Sequence, residues 1–262
     1  MKVSKSSTGL SYYIVNESSE NTILFIHGNS QSKESFRNQL GSPLLSGYRL
    51  ISVDLPGHGD SEYRDKYSII SMGEEVATFS KELGINPLFV GHSMGGHIAI
   101  ESLSMCQSRG LFIYGTPPVS IPMEPEKIFL PNENLSLIYK NELSDDEKET
   151  FFSLLFEREY PDMHIEMNSI SNTDPSFREK FAISLREGKF RDEIKALGNY
   201  TGVLNIGHSR QELLLNGDYL SKLDLNLEAK LIISFDGRHT PHIENIDKFN
   251  NILARMASKV FN

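Results

Sequence analysis

Apolar residues in this chain come in short unbroken runs, separated by stretches with helical spacing. Thr22-Ile23-Leu24-Phe25-Ile26 stops at His27-Gly28-Asn29, and Arg49-Leu50-Ile51-Ser52-Val53 stops at Asp54-Leu55-Pro56-Gly57. Pro87-Leu88-Phe89-Val90, Gly110-Leu111-Phe112-Ile113-Tyr114, Gly202-Val203-Leu204-Asn205-Ile206 and Lys230-Leu231-Ile232-Ile233-Ser234 repeat the pattern, and Tyr12-Tyr13-Ile14-Val15 is a weaker early strand. Strands apolar on both faces belong to a parallel sheet covered on both sides. Between them, Phe36 to Leu45 predicts a short helix and Ser71 to Leu83 a longer one. In the second, Met72, Val76, Phe79 and Leu83 share a face, Ser71 and Glu74 pattern as a capping box, and Gly84 stands at the C-terminal glycine position. A last helix from about Ile246 puts Phe249, Ile252, Leu253, Met256 and Val260 on one stripe. This alternation predicts an α/β fold with a doubly wound, mostly parallel sheet.

One segment breaks the rhythm. From Pro117 to Tyr200 there is no central-strand run. Proline-rich turns (Pro117, Pro118, Pro122, Pro125, Pro131) lead into helical pieces. Ser144 and Glu147 form a capping box before Phe151–Phe156, and Phe177, Phe181 and Leu185 have helical spacing. The expected organisation is a core of residues 1–116 and 201–262 with a helical insertion, 117–200, over the C-terminal edge of the sheet, where such folds bind ligands. Most of Phe151, Phe156, Phe177 and Phe181 should pack inside the insertion, and a few aromatics should line a pocket.

Composition changes this picture little. The 262 residues suffice for one large domain or two small ones. Net charge is −9, from 35 acidic and 26 basic side chains, which argues against nucleic-acid and anionic-membrane partners. Cys106 is the only cysteine, so there is no intrachain disulfide and no cysteine cluster for a metal. No stretch approaches the roughly 18 apolar residues of a membrane span, and residues 1–10 lack a signal-peptide core. The expectation is a soluble cytoplasmic protein. The sequence carries no sign of oligomeric state.

The chemistry starts at Gly91-His92-Ser93-Met94-Gly95, directly after an apolar strand and before a predicted helix over 94–106. A G-x-S-x-G motif in that setting is a nucleophile elbow. The serine sits on a strained strand-to-helix turn, and the flanking glycines remove the side chains that would block it. A serine hydroxyl needs a base, normally a histidine held by a carboxylate, and with this elbow the acid and then the histidine follow in the chain. His239 lies in the loop after the final strand run and is the preferred base, with His242 its competitor. For the acid, Glu212 is the only carboxylate early in the loop after Ile206; Asp218 is second and Asp236 third. The backbone N–H groups of Met94 and Asn29 are the expected oxyanion donors. His92 should pack beneath the turn, His97 should be structural, and His27 should shape the oxyanion loop. Asp54, in the Gly/Pro turn 54–61 that holds His58, should fix that loop.

Taken together, Phe25-Ile26-His27-Gly28-Asn29, Asp54-Leu55-Pro56-Gly57-His58-Gly59-Asp60-Ser61, Gly91-His92-Ser93-Met94-Gly95-Gly96-His97 and the His239 loop resemble the α/β-hydrolase superfamily, in the right order and over nearly the whole chain. Gly95-Gly96-His97-Ile98-Ala99-Ile100-Glu101 and Gly115-Thr116-Pro117-Pro118-Val119 look like the group containing the N-acyl-homoserine lactonase AidH. The resemblance implies the α/β-hydrolase fold with a cap at 117–200. It also implies Ser93 as nucleophile, His239 as base, Glu212 as acid, Asn29 and Met94 as oxyanion donors, and no metal or other cofactor. Three functions fit: a serine lactonase, a general carboxylesterase acting on small acyl esters, and a catalytically inactive ligand-binding module. An intact triad weighs against the last.

Overall fold

The computed structural model describes residues 1–156, 162–223 and 230–262. Among these residues eight strands form one sheet: β1 (Val3–Lys5), β2 (Ser11–Val15), β3 (Thr22–Ile26), β4 (Arg49–Val53), β5 (Leu88–His92), β6 (Gly110–Tyr114), β7 (Val203–Ser209) and β8 (Lys230–Phe235). Their spatial order is β1-β2-β4-β3-β5-β6-β7-β8. β1 and β2 pair antiparallel, as do β2 and β4; every pairing from β4 to β8 is parallel. This is the α/β-hydrolase fold, with its sheet mostly parallel as expected. β1 has no counterpart in the apolar pattern, because Val3, at the sheet's edge, is exposed.

Alternation along each buried strand sorts side chains to two faces. Leu24 and Ile26 of β3 join one core with Ile51 and Val53, while Ile23 and Phe25 join the other with Leu88, Val90 and Phe112. The helices are α1 (Arg37–Leu40), α2 (Ile69–Glu82), α3 (Met94–Ser102), α4 (Pro125–Ile128), α5 (Asp145–Leu155), α6 (Met163–Ser171), α7 (Phe177–Arg186), α8 (Glu193–Gly198), α9 (Gly217–Lys222), α10 (Pro241–Glu244) and α11 (Ile246–Phe261). α2 and α3 cover the first face through Met72, Val76, Phe79 and Ile98, and α11 covers the second through Phe249, Leu253 and Met256.

Three boundaries differ from expectation. α2 starts at Ile69, with Ser68 as its N-cap; Ser71 is the reciprocal partner of that capping box, so the Ser71–Glu74 pairing is replaced by Ser68–Ser71. The expected helix over 36–45 is instead a short α1 between two 3₁₀ turns, interrupted at Gly41 and Ser42 ahead of Pro43. α3 stops at Ser102, short of Cys106. The Ser144–Glu147 capping box is present as expected. Residues 117–200 carry α4 to α8 and a 3₁₀ helix, Glu133–Tyr139, among the described residues.

Candidate active site

Ser93 joins β5 to α3 at φ 52° and ψ −120°, a left-handed conformation that costs an L-residue on the order of 1–3 kcal/mol. Glycines permit the turn. A Cβ on Gly95 would lie 2.2 Å from the Ile26 carbonyl oxygen, and one on Gly91 would lie 2.6 Å from Gly96 Cα. The turn is pinned from beneath: Ser93 N–H donates to the Tyr114 carbonyl at 2.9 Å, and Thr116 Oγ1 donates to the Ser93 carbonyl at 2.8 Å.

Beside it, His239 Nδ1 lies 2.7 Å from Glu212 Oε2. The other carboxylate oxygen of Glu212 accepts the N–H groups of Leu213 and Leu214, both at 3.0 Å, which fixes its rotamer. A carboxylate can only accept, so in the neutral ring Nδ1 carries the hydrogen and Nε2 keeps the lone pair. The His239 ring rests on the backbone of Gly115, where a Cβ would come within 3.0 Å of it. His239 N–H donates to the Leu155 carbonyl at 3.1 Å, at the end of α5. Ser93 and His239 line the same cavity, and among the described residues no hydrogen bond joins their side chains. The other candidates lie elsewhere. His242 is fully buried against Phe36, His92, Tyr114 and Phe249. Asp236 pairs with Arg210 at the surface, and Asp218 opens α9.

Asn29 and Met94 both border Ser93, and among the described residues neither backbone N–H has a partner in the chain. Unpaired N–H groups beside a serine form a ready cradle for a negative oxygen. Buried imidazoles hold this loop. His27 Nε2 accepts from Leu55 N–H at 3.0 Å, and His58 Nε2 accepts from Ser30 N–H at 3.2 Å. Burial pushes His27 down to about 4 and His58 well below the ordinary histidine range, so both stay neutral acceptors. Ser30 is at φ 57°, and its Oγ accepts from Arg178 of α7 at 2.7 Å. His92 sits beneath the elbow, its ring nitrogens 2.7 Å from Gln31 Oε1 and 2.8 Å from the His239 carbonyl oxygen. Asp54 fixes its turn by accepting from Lys33 N–H and Nζ, both at 2.6 Å.

Ser93 stands where two clefts meet. A wide cleft, with about 710 Å³ of atom-free space, runs over Met94 and His97 between Met123, Phe181 and Leu185. A narrower one, about 430 Å³, runs past His239 between Phe151, Leu155 and Leu214. Asn29, Phe129, Ile138 and Leu215 belong to both. Of the four phenylalanines singled out in the sequence, Phe151 and Phe181 line a cleft. Phe156 stacks on Phe152, and Phe177 packs on Tyr67 and His58. His97 is itself a wall of the wide cleft, bound through Nδ1 to Glu193. No local pattern announces that pair, since its members are far apart in the chain. Among the described residues, no group of three or more His, Cys, Asp or Glu could hold a metal ion, and no helix is long and apolar enough to cross a membrane.

The fold and the serine turn together define a hydrolase scaffold. The chain matches the model of the alpha/beta hydrolase family over residues 23–244, and it belongs to that family. Among solved structures it is similar to a variant of the N-acyl homoserine lactonase AidH complexed with N-hexanoyl homoserine lactone: 25% identity, 99% of this chain and 97% of the other, TM-score 0.89. It is also similar to an esterase from Exiguobacterium antarcticum, at 21% identity, 98% of each chain and TM-score 0.79. The AB hydrolase superfamily protein YisY of Bacillus subtilis (strain 168) is 22% identical over 90% of this chain and 91% of its own length. Curated relatives with higher identity, 37 to 38%, match over 81 to 100 residues and only 26 to 28% of their own length.

Proposed function

We propose that this hydrolase is a serine enzyme that opens a carboxylic ester or lactone through an acyl-enzyme, without a metal, and that its substrate is an acyl-bearing lactone. The observation that carries the reading is the relay Glu212–His239, at 2.7 Å, lining one cavity with a strained Ser93. In this mechanism Ser93 Oγ attacks the carbonyl carbon as its proton passes to His239 Nε2. Glu212 holds Nδ1–H and stabilises the imidazolium. The oxyanion takes hydrogen bonds from Asn29 and Met94 N–H. His239 then protonates the leaving oxygen, and the reverse relay activates a water to release the acid.

The two clefts support an orientation. The leaving oxygen must meet His239, so the alcohol part, or the ring oxygen of a lactone, belongs on the narrow side. The acyl part then lies in the wide, mostly apolar cleft. Residues 117–200 act as the cap over a core of 1–116 and 201–262, since α7 walls the wide cleft, α5 the narrow one, and Glu133–Tyr139 both. Likeness to the AidH complex supports the lactone as substrate class.

The test is a panel of N-acyl homoserine lactones and p-nitrophenyl esters of graded length, with wild type and Ser93→Ala. The alanine variant should lose on the order of 10⁴-fold or more in rate with its fold intact. Near-wild-type turnover would sink the serine mechanism. Mass spectrometry should find the ring-opened acyl homoserine with its amide intact. Inert lactones beside rapidly cleaved esters would make the protein a general carboxylesterase.

A further inference from the structure

His97 lies one helical turn beyond Ser93 on α3 and lines the wide cleft. Its Nδ1 is 2.8 Å and 2.9 Å from the two oxygens of Glu193, the first residue of α8. Glu193 is buried and fixed: Oε2 also accepts from Val119 N–H at 2.9 Å, and its own N–H donates to the Val119 carbonyl at 2.8 Å. A carboxylate only accepts, so the neutral imidazole carries its hydrogen on Nδ1 and keeps a lone pair on Nε2. Among the described residues Nε2 has no partner in the chain, and it does not belong to the buried core.

Apart from Tyr139, the rest of that cleft supplies little polarity. Ser93 is the reacting group, and the Asn29 side chain is already used by Ile138 and Ser30. Met123, Val119, Phe181, Leu185 and Phe190 are apolar. A ligand that fills the cleft strips water from Nε2, and an acceptor left bare there is costly unless the ligand brings a donor. One helical turn is roughly 5 Å. That distance suits an N–H or O–H attached to the carbon next to the reacting carbonyl.

Resting on the serine-hydrolase reading above, we infer that His97, positioned by Glu193, is a specificity-determining acceptor that selects esters or lactones bearing a hydrogen-bond donor at the α-carbon, such as an α-acylamino group. His97 would touch the substrate; Glu193 acts through it.

The experiment compares N-hexanoyl homoserine lactone with its oxygen analogue, α-hexanoyloxy-γ-butyrolactone, in which an oxygen replaces the amide N–H. Lactone opening is followed by mass spectrometry, so that cleavage of the exocyclic ester is not counted. In wild type kcat/KM should favour the amide by about 10- to 100-fold, the discrimination expected when a polar group in the site loses its partner. In His97→Phe the ratio should collapse to within about twofold of one, whatever the absolute rate; His97→Leu serves if the phenylalanine variant does not fold. Glu193→Gln, which keeps an oxygen to accept Nδ1–H, should retain most of the ratio. A wild-type ratio near one, or an undiminished ratio in the His97 variant, would overturn the inference. If wild type opens neither lactone and cleaves no p-nitrophenyl ester, the proposed function fails. Calorimetric binding of the same two compounds to Ser93→Ala then decides the inference separately, equal affinities overturning it.

Discussion

Two histidines three residues apart in the same loop have opposite surroundings. His239 meets Glu212 and a cavity, while His242 is enclosed by Phe36, Tyr114 and Phe249 with both ring nitrogens unpartnered among the described residues. Their alanine variants should therefore fail differently. His239→Ala should lose on the order of 10³-fold or more in rate at nearly unchanged Tm, and Glu212→Gln should behave alike because the imidazole loses its enforced tautomer. His242→Ala should chiefly lower Tm, through a cavity worth about 2–4 kcal/mol. Rates and thermal unfolding of the three variants check this, and a severe rate loss confined to His242→Ala would exchange the two roles. Ser93, His239 and Glu212 stand out in the sequence as candidates because each has a local signature: glycines around a turn, or a loop just past an apolar run. His97 and Glu193 could not, because only the packing of α8 against α3 brings them together.

At the level of elements, the apolar runs announced the buried strands because a parallel sheet leaves no polar face to blur them. The start of α2 is not legible in the sequence, because Ser71 belongs to a capping box as the inner partner, and the true cap, Ser68, stands before two isoleucines. The segment 117–200 was legible only as helical. Its helices divide their apolar side chains among their own cluster, around Phe152 and Phe156, the core against the sheet, which takes Phe177 and Leu197, and the clefts, and periodicity does not tell these destinations apart. The wide cleft makes a measurable demand on acyl length. Each methylene buried there contributes about 0.8 kcal/mol, roughly a fourfold gain in kcat/KM, until the space is full. Leu185→Trp, which fills part of that cleft, should end the rise at a shorter chain in a series of p-nitrophenyl esters. An unchanged optimum would place the acyl group elsewhere.

For the molecule as a whole, four histidines are held neutral by burial: His27, pushed down to about 4, and His58, His92 and His242, all well below their ordinary range. The unfolded chain protonates them near 6.5, so below that pH it binds more protons than the folded chain. Stability should be full above about pH 6.5 and fall as the pH is lowered from there toward 4. The slope is at most about 1.4 kcal/mol per pH unit for each such histidine. Thermal unfolding from pH 7.5 to 4.5 measures it, and a Tm that stays flat over that span would contradict it.

β6 and β7 lie side by side and run parallel, although the chain between them extends from Gly115 to Gly202. Parallel neighbours need only a crossover of a dozen or so residues, and α8, leading into β7, supplies its helix. The remainder of that stretch is not needed to pair the strands. Away from Thr116, Leu155 and Arg178, which tie it to the serine turn, the histidine loop and Ser30, it can lengthen, shorten or change its side chains while the strand register keeps its place. In a lineage of such proteins, diet can therefore change without retooling the chemistry, and divergence should concentrate in this one excursion of the chain.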